Sequence, residues 1–285
     1  MKHENWTIAY RKKDVTNSFK IIPNTWRYWC ADPHLFEKDG QTYIFAELYD
    51  RILRRGVIGC CEIRGEEYSR WNIVLKTPYH LSYPHVFSCE TDIYMIPESY
   101  VAEEIALFKA VDFPNKWEKV CVLKDDFVAV DSTLFAIGDK KWIITLQCDT
   151  GHECLKLFEY DDKKIIGKAV CIAIDNVNKR PAGKLFYSKE KLIRPAQDCS
   201  KGYGCALNFY EVTKVDINQY EEKLIRKVFP EEIVSDLKVK PQGIHTYNQS
   251  KSYEVIDLKG YETDWLFYIM RPIWFVWRRI RKVLK

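Results

Sequence analysis

Four phenylalanines, Phe36, Phe87, Phe135 and Phe186, recur at intervals of 51, 48 and 51 residues. Each closes an apolar, strand-like run and is followed by a polar turn: Asp39-Gly40, Ser88 to Asp92, Gly138-Asp139 and Ser188 to Lys191. A return strand then ends on a polar residue, Glu47, Glu98, Gln147 or Gln197, 11 or 12 residues after the phenylalanine. A weaker fifth copy runs from His245-Thr246-Tyr247 to Val255-Ile256-Asp257. A period near 50 residues with about four short strands per copy is the sequence form of propeller blades. A two-layer sandwich also has many short strands, but not this period. The expected fold is therefore all-β, a five-bladed β-propeller over residues 1–260. The fifth copy is short of strands, and the alternating stretch Trp6 to Arg11 can complete it and close the ring.

The hairpin places candidate chemistry. Asp32 precedes the first inner strand and Glu47 ends its return, so both emerge at one end of the sheet. Repeating this for every blade sets Asp32, Glu47, Tyr83, Glu98, Asp131, Gln147, Arg180, Gln197 and His245 around one funnel mouth, with Arg194 and Asp198 beside the fourth return strand. Simple blades need only turn residues and apolar strands there. Unlike polar groups beside apolar or proline-containing segments, where unpaired charge is costly, read as a site and not a solvated rim. Trp26, Tyr28 and Trp29 before Asp32 suit either a sugar-stacking wall or a strand-end core. There is no Gly-rich phosphate loop, no Cys or His pair at metal spacing and no activated nucleophile, so neither a cofactor nor a metal is expected.

Ala31-Asp32-Pro33 and Val130-Asp131-Ser132 resemble the openings of blades one and three in the five-bladed glycosidases of glycoside hydrolase family 43. That resemblance implies a general base at Asp32 and a pKa-tuning, sugar-orienting role for Asp131. A wider set is similar to the N-terminal propeller domain of plant glucosamine inositolphosphorylceramide transferases and of bacterial proteins from surface-polysaccharide loci. It comprises Asp32-Pro33, His80 to Pro84, Pro97-Glu98-Ser99, Val130-Asp131-Ser132, Arg180 to Gly183, Arg194 to Asp198 and His245-Thr246-Tyr247, and covers roughly residues 25 to 258. The hydrolases carry a proton-donating Glu in blade four, where this sequence has Arg180. Cleaving a sugar–sugar bond needs such an acid, whereas a phosphate leaving group needs positive charge and donors.

These readings give three functional expectations. The first is glycosyl transfer from a phosphate-activated donor, with Asp32 as base, Asp131 orienting and Glu98 holding sugar hydroxyls. In it Glu47, Tyr83, Gln197 and Asp198 line the substrate, and Arg180, Arg194 and His245 grip the phosphate. The second is glycoside hydrolysis with Glu98 or Glu47 as acid. The third is a non-catalytic glycan-binding propeller serving a partner enzyme of polysaccharide assembly. The net charge of +4 rests largely on residues 271–285, leaving no basic stripe for nucleic acid. The segment 261–285 mixes large aromatics with clustered Arg and Lys, as a helix on an anionic membrane surface does; docking on protein is the alternative. Ten cysteines without a Cys-x-x-Cys pair read as free thiols. With an N-terminus lacking an apolar leader core, they suggest a cytoplasmic protein, peripheral at the inner membrane face.

Overall fold

The structure is a computed structural model that describes residues 2–15, 18–148, 153–161, 163–172 and 180–263. It contains five antiparallel sheets, one for each repeat. Blade one runs outward from Tyr28–Lys38 through Gln41–Asp50 and Arg55–Arg64, with two short outer strands, Glu67–Tyr68 and Asn72–Leu75, both on the third. Blade two is Ser82–Cys89, Asp92–Glu98, Ile105–Asp112 and Lys116–Lys124. Blade three is Ala129–Ile137, Lys140–Gln147, Cys154–Asp161 and Lys164–Ile172. Blade four has a short inner strand, Phe186–Ser188, then Lys191–Asp198, Ala206–Val215 and Tyr220–Val228. Blade five begins with Tyr247–Gln249 and Tyr253–Thr263, and the N-terminal strands Lys2–Lys12 and Lys20–Ile22 complete it. Residues 2 to 12 pair continuously with 263 to 253, so the two ends of the propeller lock one sheet, as the stretch at Trp6 predicts.

The core is five seams, one between each pair of neighbouring blades. Successive side chains on a strand point to opposite faces, and here both faces are buried. In blade one, Ile44, Ala46 and Leu48 pack toward blade five, while Phe45 packs toward blade two. The repeating phenylalanines all turn the same way: Phe36, Phe87, Phe135 and Phe186 each enter the seam with the following blade. That shared duty is why the repeat is legible through them.

Three inner strands carry the same irregularity. The register slips by one residue between Ala31 and His34, Ser82 and His85, and Val130 and Thr133. At each slip one residue has a left-handed backbone: Asp32 (φ 50°), Tyr83 (φ 41°) and Asp131 (φ 55°). A bulge bends a strand and re-aims the residue it carries. Aspartate tolerates this conformation, but a tyrosine there is strained and must be held by its surroundings.

Among the described residues there is no α-helix, and no helix is long and apolar enough to cross a membrane. The helix expected within 261–285 falls beyond Thr263, outside the described residues. The expectation of free thiols needs one correction: Cys154 and Cys171, on neighbouring strands of blade three, form a disulfide.

Candidate functional site

The bulges turn Asp32 and Asp131 toward the axis, where both are nearly fully buried. The Asp32 backbone N–H donates to Asp257 Oδ2 (3.0 Å), and its Oδ1 accepts from Thr246 Oγ1 (3.0 Å). His245 bridges the two acids, with Nδ1 2.7 Å from Asp257 Oδ2 and Nε2 3.6 Å from Asp32 Oδ1. The backbone N–H groups of His245 (3.1 Å) and Thr246 (2.9 Å) also donate to Asp257 Oδ1. Four donors therefore converge on Asp257 and fix the base of the funnel around Asp32.

Across the axis, Arg180 Nε donates to Asp131 Oδ2, and its Nη2 reaches Asp131 Oδ1 (3.3 Å) and Glu98 Oε2 (3.4 Å). Gln197 Nε2 donates to Asp131 Oδ2 (3.1 Å), and the Asp131 backbone N–H donates to Glu98 Oε2 (3.1 Å). Glu47 stands beside His80, whose Nε2 is 3.3 Å from Glu47 Oε1. His80 Nδ1 accepts the Gly56 N–H (2.9 Å), so the ring proton sits on Nε2, facing the acid.

Five carboxylates thus share one buried cluster with one guanidinium and two imidazoles, His245, which touches two of them, and His80, which stands beside Glu47. Burial, opposed by His245 and reinforced by Asp131 and Asp257, raises the Asp32 carboxyl from 3.8 to about 6. Burial and then the neighbouring acids push Glu47 and Glu98 well above the ordinary carboxylate range. For His245, burial lowers proton affinity but Asp257 and Asp32 outweigh it, and the imidazole is raised. One donor atom each from Asp32, His245 and Asp257 lies within 4.8 Å of the others, two carboxylates and an imidazole that can hold a divalent cation.

The mouth has an aromatic wall. Trp6 stacks on His245 (3.8 Å between centroids), and Tyr203 stands edge-on to both Trp6 (6.0 Å) and His245 (5.2 Å), with Arg180 over its ring. Trp29 stacks on Tyr49 (4.6 Å), Tyr28 packs against the seam of blades five and one, and Trp26 is 72% exposed.

The structure brings Asp32, Glu47, Glu98, Asp131, Arg180, Gln197 and His245 together as the repeat predicts. Four other residues sit differently. Tyr83 reaches the axis, but its hydroxyl is engaged by Thr133 Oγ1 (2.9 Å) and the Gly183 N–H (2.6 Å). Arg194 and Asp198 lie an odd number of residues from Gln197 and so point to the opposite face. Arg194 makes a bidentate pair with Glu222 of the outer strand (both contacts 2.7 Å), and Asp198 pairs with Lys227. Gln147 is one residue out of phase: Leu146, paired with Val130, matches Glu47 and Glu98. Sequence reasoning missed Asp257, Thr246, Trp6 and Tyr203. Asp257 ends the return strand of the fifth copy, the place Glu47 holds in blade one, but that hairpin is four residues shorter and carries no anchoring phenylalanine, so the spacing count passes over it. Trp6 comes from the closing strand and Tyr203 from a loop, and neither has a repeat signal.

The profile described as "Glucosamine inositolphosphorylceramide transferase 1, N-terminal" matches residues 22–252. The chain belongs to this family. It is 30% identical over 206 residues to glucosamine inositolphosphorylceramide transferase 1 of Oryza sativa subsp. indica, a match covering 67% of this chain and 27% of that protein. For the Arabidopsis thaliana protein of the same name the figures are 29% over 242 residues, 76% and 29%. The chain therefore spans under a third of these relatives. Among solved structures, an α-L-arabinofuranosidase from Lactobacillus brevis superposes with a TM-score of 0.57 at 15% identity, covering 80% of this chain and 82% of that one. One from Podospora anserina gives 0.57 at 11% identity, covering 90% and 97%. These two likenesses show the shared propeller fold.

Proposed function

We propose that the funnel is the sugar site of a glycosyl transfer in cell-envelope glycan assembly, with Asp32 as the base. The observation that carries this reading is Asp32 itself. It is a buried carboxylate held at Oδ1, with Oδ2 free to take a proton, and its affinity is raised toward neutrality as a general base requires. Asp32 Oδ2 removes the proton of an acceptor hydroxyl. The hydroxyl oxygen bonds to the anomeric carbon of the donor, and the bond from that carbon to the phosphate oxygen breaks. Asp131 holds Arg180 in place, and Glu98 and Glu47 present oxygens to sugar hydroxyls. The depth of the funnel is acidic and takes a neutral or cationic sugar; the relatives' name speaks of glucosamine. The phosphate faces the mouth, beside Arg180, which is a quarter exposed. Arg194, engaged by Glu222, has no part in it.

The test is product formation by the purified chain from nucleotide-sugar and lipid-phosphate-sugar donors with glycan and inositol-lipid acceptors. Turnover lost in Asp32→Asn supports the assignment, and full turnover in that variant refutes it. A hydrolytic reading has one observation in its favour: Glu47 and Glu98 both hold protons tightly near Asp32. Cleavage of aryl glycosides by the wild type, lost in Glu98→Gln or Glu47→Gln, would favour it. Sugar binding by calorimetry with no turnover under either assay would favour a glycan-binding propeller working with a partner enzyme. We further place the protein on the cytoplasmic membrane face through residues 264–285. Co-sedimentation with anionic vesicles, lost on removing that segment, tests this.

A further inference from the structure

Two residues beyond Asp32, Tyr83, Asp131, Ala182 and Thr246, the inner segments of the five blades present His34, His85, Thr133, Lys184 and Asn248. The strand rise sets this second ring about 7 Å deeper along the axis. It contains no carboxylate, and it is buried except for Lys184, which is half-buried. Tyr83 separates it from the acids above. Its ring meets His34 edge-on at 4.4 Å, and its hydroxyl links Thr133 to the Gly183 N–H.

Thr133 and Asn248 are satisfied within the fold. Asn248 Nδ2 donates to the Pro33 carbonyl (2.7 Å), and its Oδ1 accepts the Lys184 N–H (2.9 Å). The other three are not. His85 Nε2 accepts the Leu134 N–H (3.1 Å), which puts the ring proton on Nδ1, where no acceptor meets it. Neither nitrogen of His34 has a partner. Lys184 Nζ spends one N–H on the Leu35 carbonyl (2.8 Å) and keeps two. The histidine rings are 5.7 Å apart, and Lys184 is near enough to lower the proton affinity of both.

Every unmet group here is therefore a donor, apart from one nitrogen of His34. A water molecule must place two hydrogens of its own, and the ring offers a single acceptor for them. An anion has none to place. We propose that His34, His85 and Lys184 form a buried binding site for a small inorganic anion of halide size, sealed from the acidic funnel by Tyr83. The site would also supply a countercharge that the fold lacks, since burial alone depresses Lys184 to about 7 with no carboxylate acting on it.

Bromide soaked into crystals of the wild-type chain tests this without any substitution. An anomalous peak within hydrogen-bonding reach of His85 Nδ1 and Lys184 Nζ is the expected result; no peak there, or an ordered water unchanged by bromide, overturns the proposal. In solution, replacing chloride by gluconate at constant ionic strength should lower Tm on the order of 2–4 °C in the wild type and leave Lys184→Met unmoved. Equal responses in the two proteins would also overturn it. Neither measurement depends on turnover in the funnel.

Discussion

Replacing Asp32 by asparagine should abolish turnover and at the same time stabilise the fold. The folded carboxyl takes its proton at about 6, against 3.8 for an ordinary aspartate. Because the folded value is the higher one, stability contributed by this group is fully present below 3.8 and is lost as pH rises through about 6. Holding Asp32 ionised at neutral pH then costs about 3 kcal/mol, at ~1.4 kcal/mol per pH unit. Asparagine is nearly isosteric and neutral. It keeps an oxygen for Thr246 and the backbone N–H for Asp257, and the attraction it forfeits to His245 is already counted in the raised value. At about pH 7.5 Asp32→Asn should be more stable by about 3 kcal/mol, a Tm some ~6–12 °C higher for a domain of this size. Near pH ~4.5 the advantage should shrink to ~1 kcal/mol, as the wild-type carboxyl regains its proton. Thermal and urea unfolding of both proteins across this range checks the argument. A variant no more stable than the wild type at neutral pH, or a difference that ignores pH, refutes it.

Other substitutions separate scaffold from site. Tyr83→Phe leaves the buried Gly183 N–H and Thr133 hydroxyl without their shared partner and should cost about 1–3 kcal/mol in urea unfolding. Arg180→Gln strips the cation from Asp131 and Glu98 and should cost about 3–5 kcal/mol at neutral pH. Urea unfolding of the variant beside the wild type reads that loss, and an undiminished stability would refute it. Arg194→Met should cost about 3–5 kcal/mol by taking the counter-cation from buried Glu222, and Glu222→Leu in the same chain should recover most of it. Sugar binding by that double variant should match the wild type. Weakened binding would mean that Arg194 does reach the site.

The propeller was legible because in four of the five blades one side chain, Phe36 and its equivalents, must fill the seam with the following blade. The site was legible only where its residues keep step with that seam. Glu47, Glu98 and Gln197 do; Gln147 does not, because a one-residue offset in a strand exchanges faces and delivers Leu146 instead. The same rule excludes Arg194 and Asp198, whose separation from Gln197 is odd; Asp257 escapes it, because the shorter hairpin of blade five breaks the count. Proximity in sequence to a functional residue is therefore weak grounds within a strand, while parity is strong. Other parts of the site obey no period. Trp6 reaches the mouth because the chain closes on itself, and Tyr203 because a loop of blade four passes it. The bulges that aim Asp32 and Asp131 are likewise absent from any hydrophobic count. A two-residue alternation predicts regular pairing through Ala31 to His34 and Val130 to Thr133, and at both places it fails. A left-handed Tyr83 at the third such position costs backbone energy that its two hydrogen bonds must offset. Local rules fail together where the chain is bent to serve something other than its own packing, and in this propeller those failures ring the axis around Asp32.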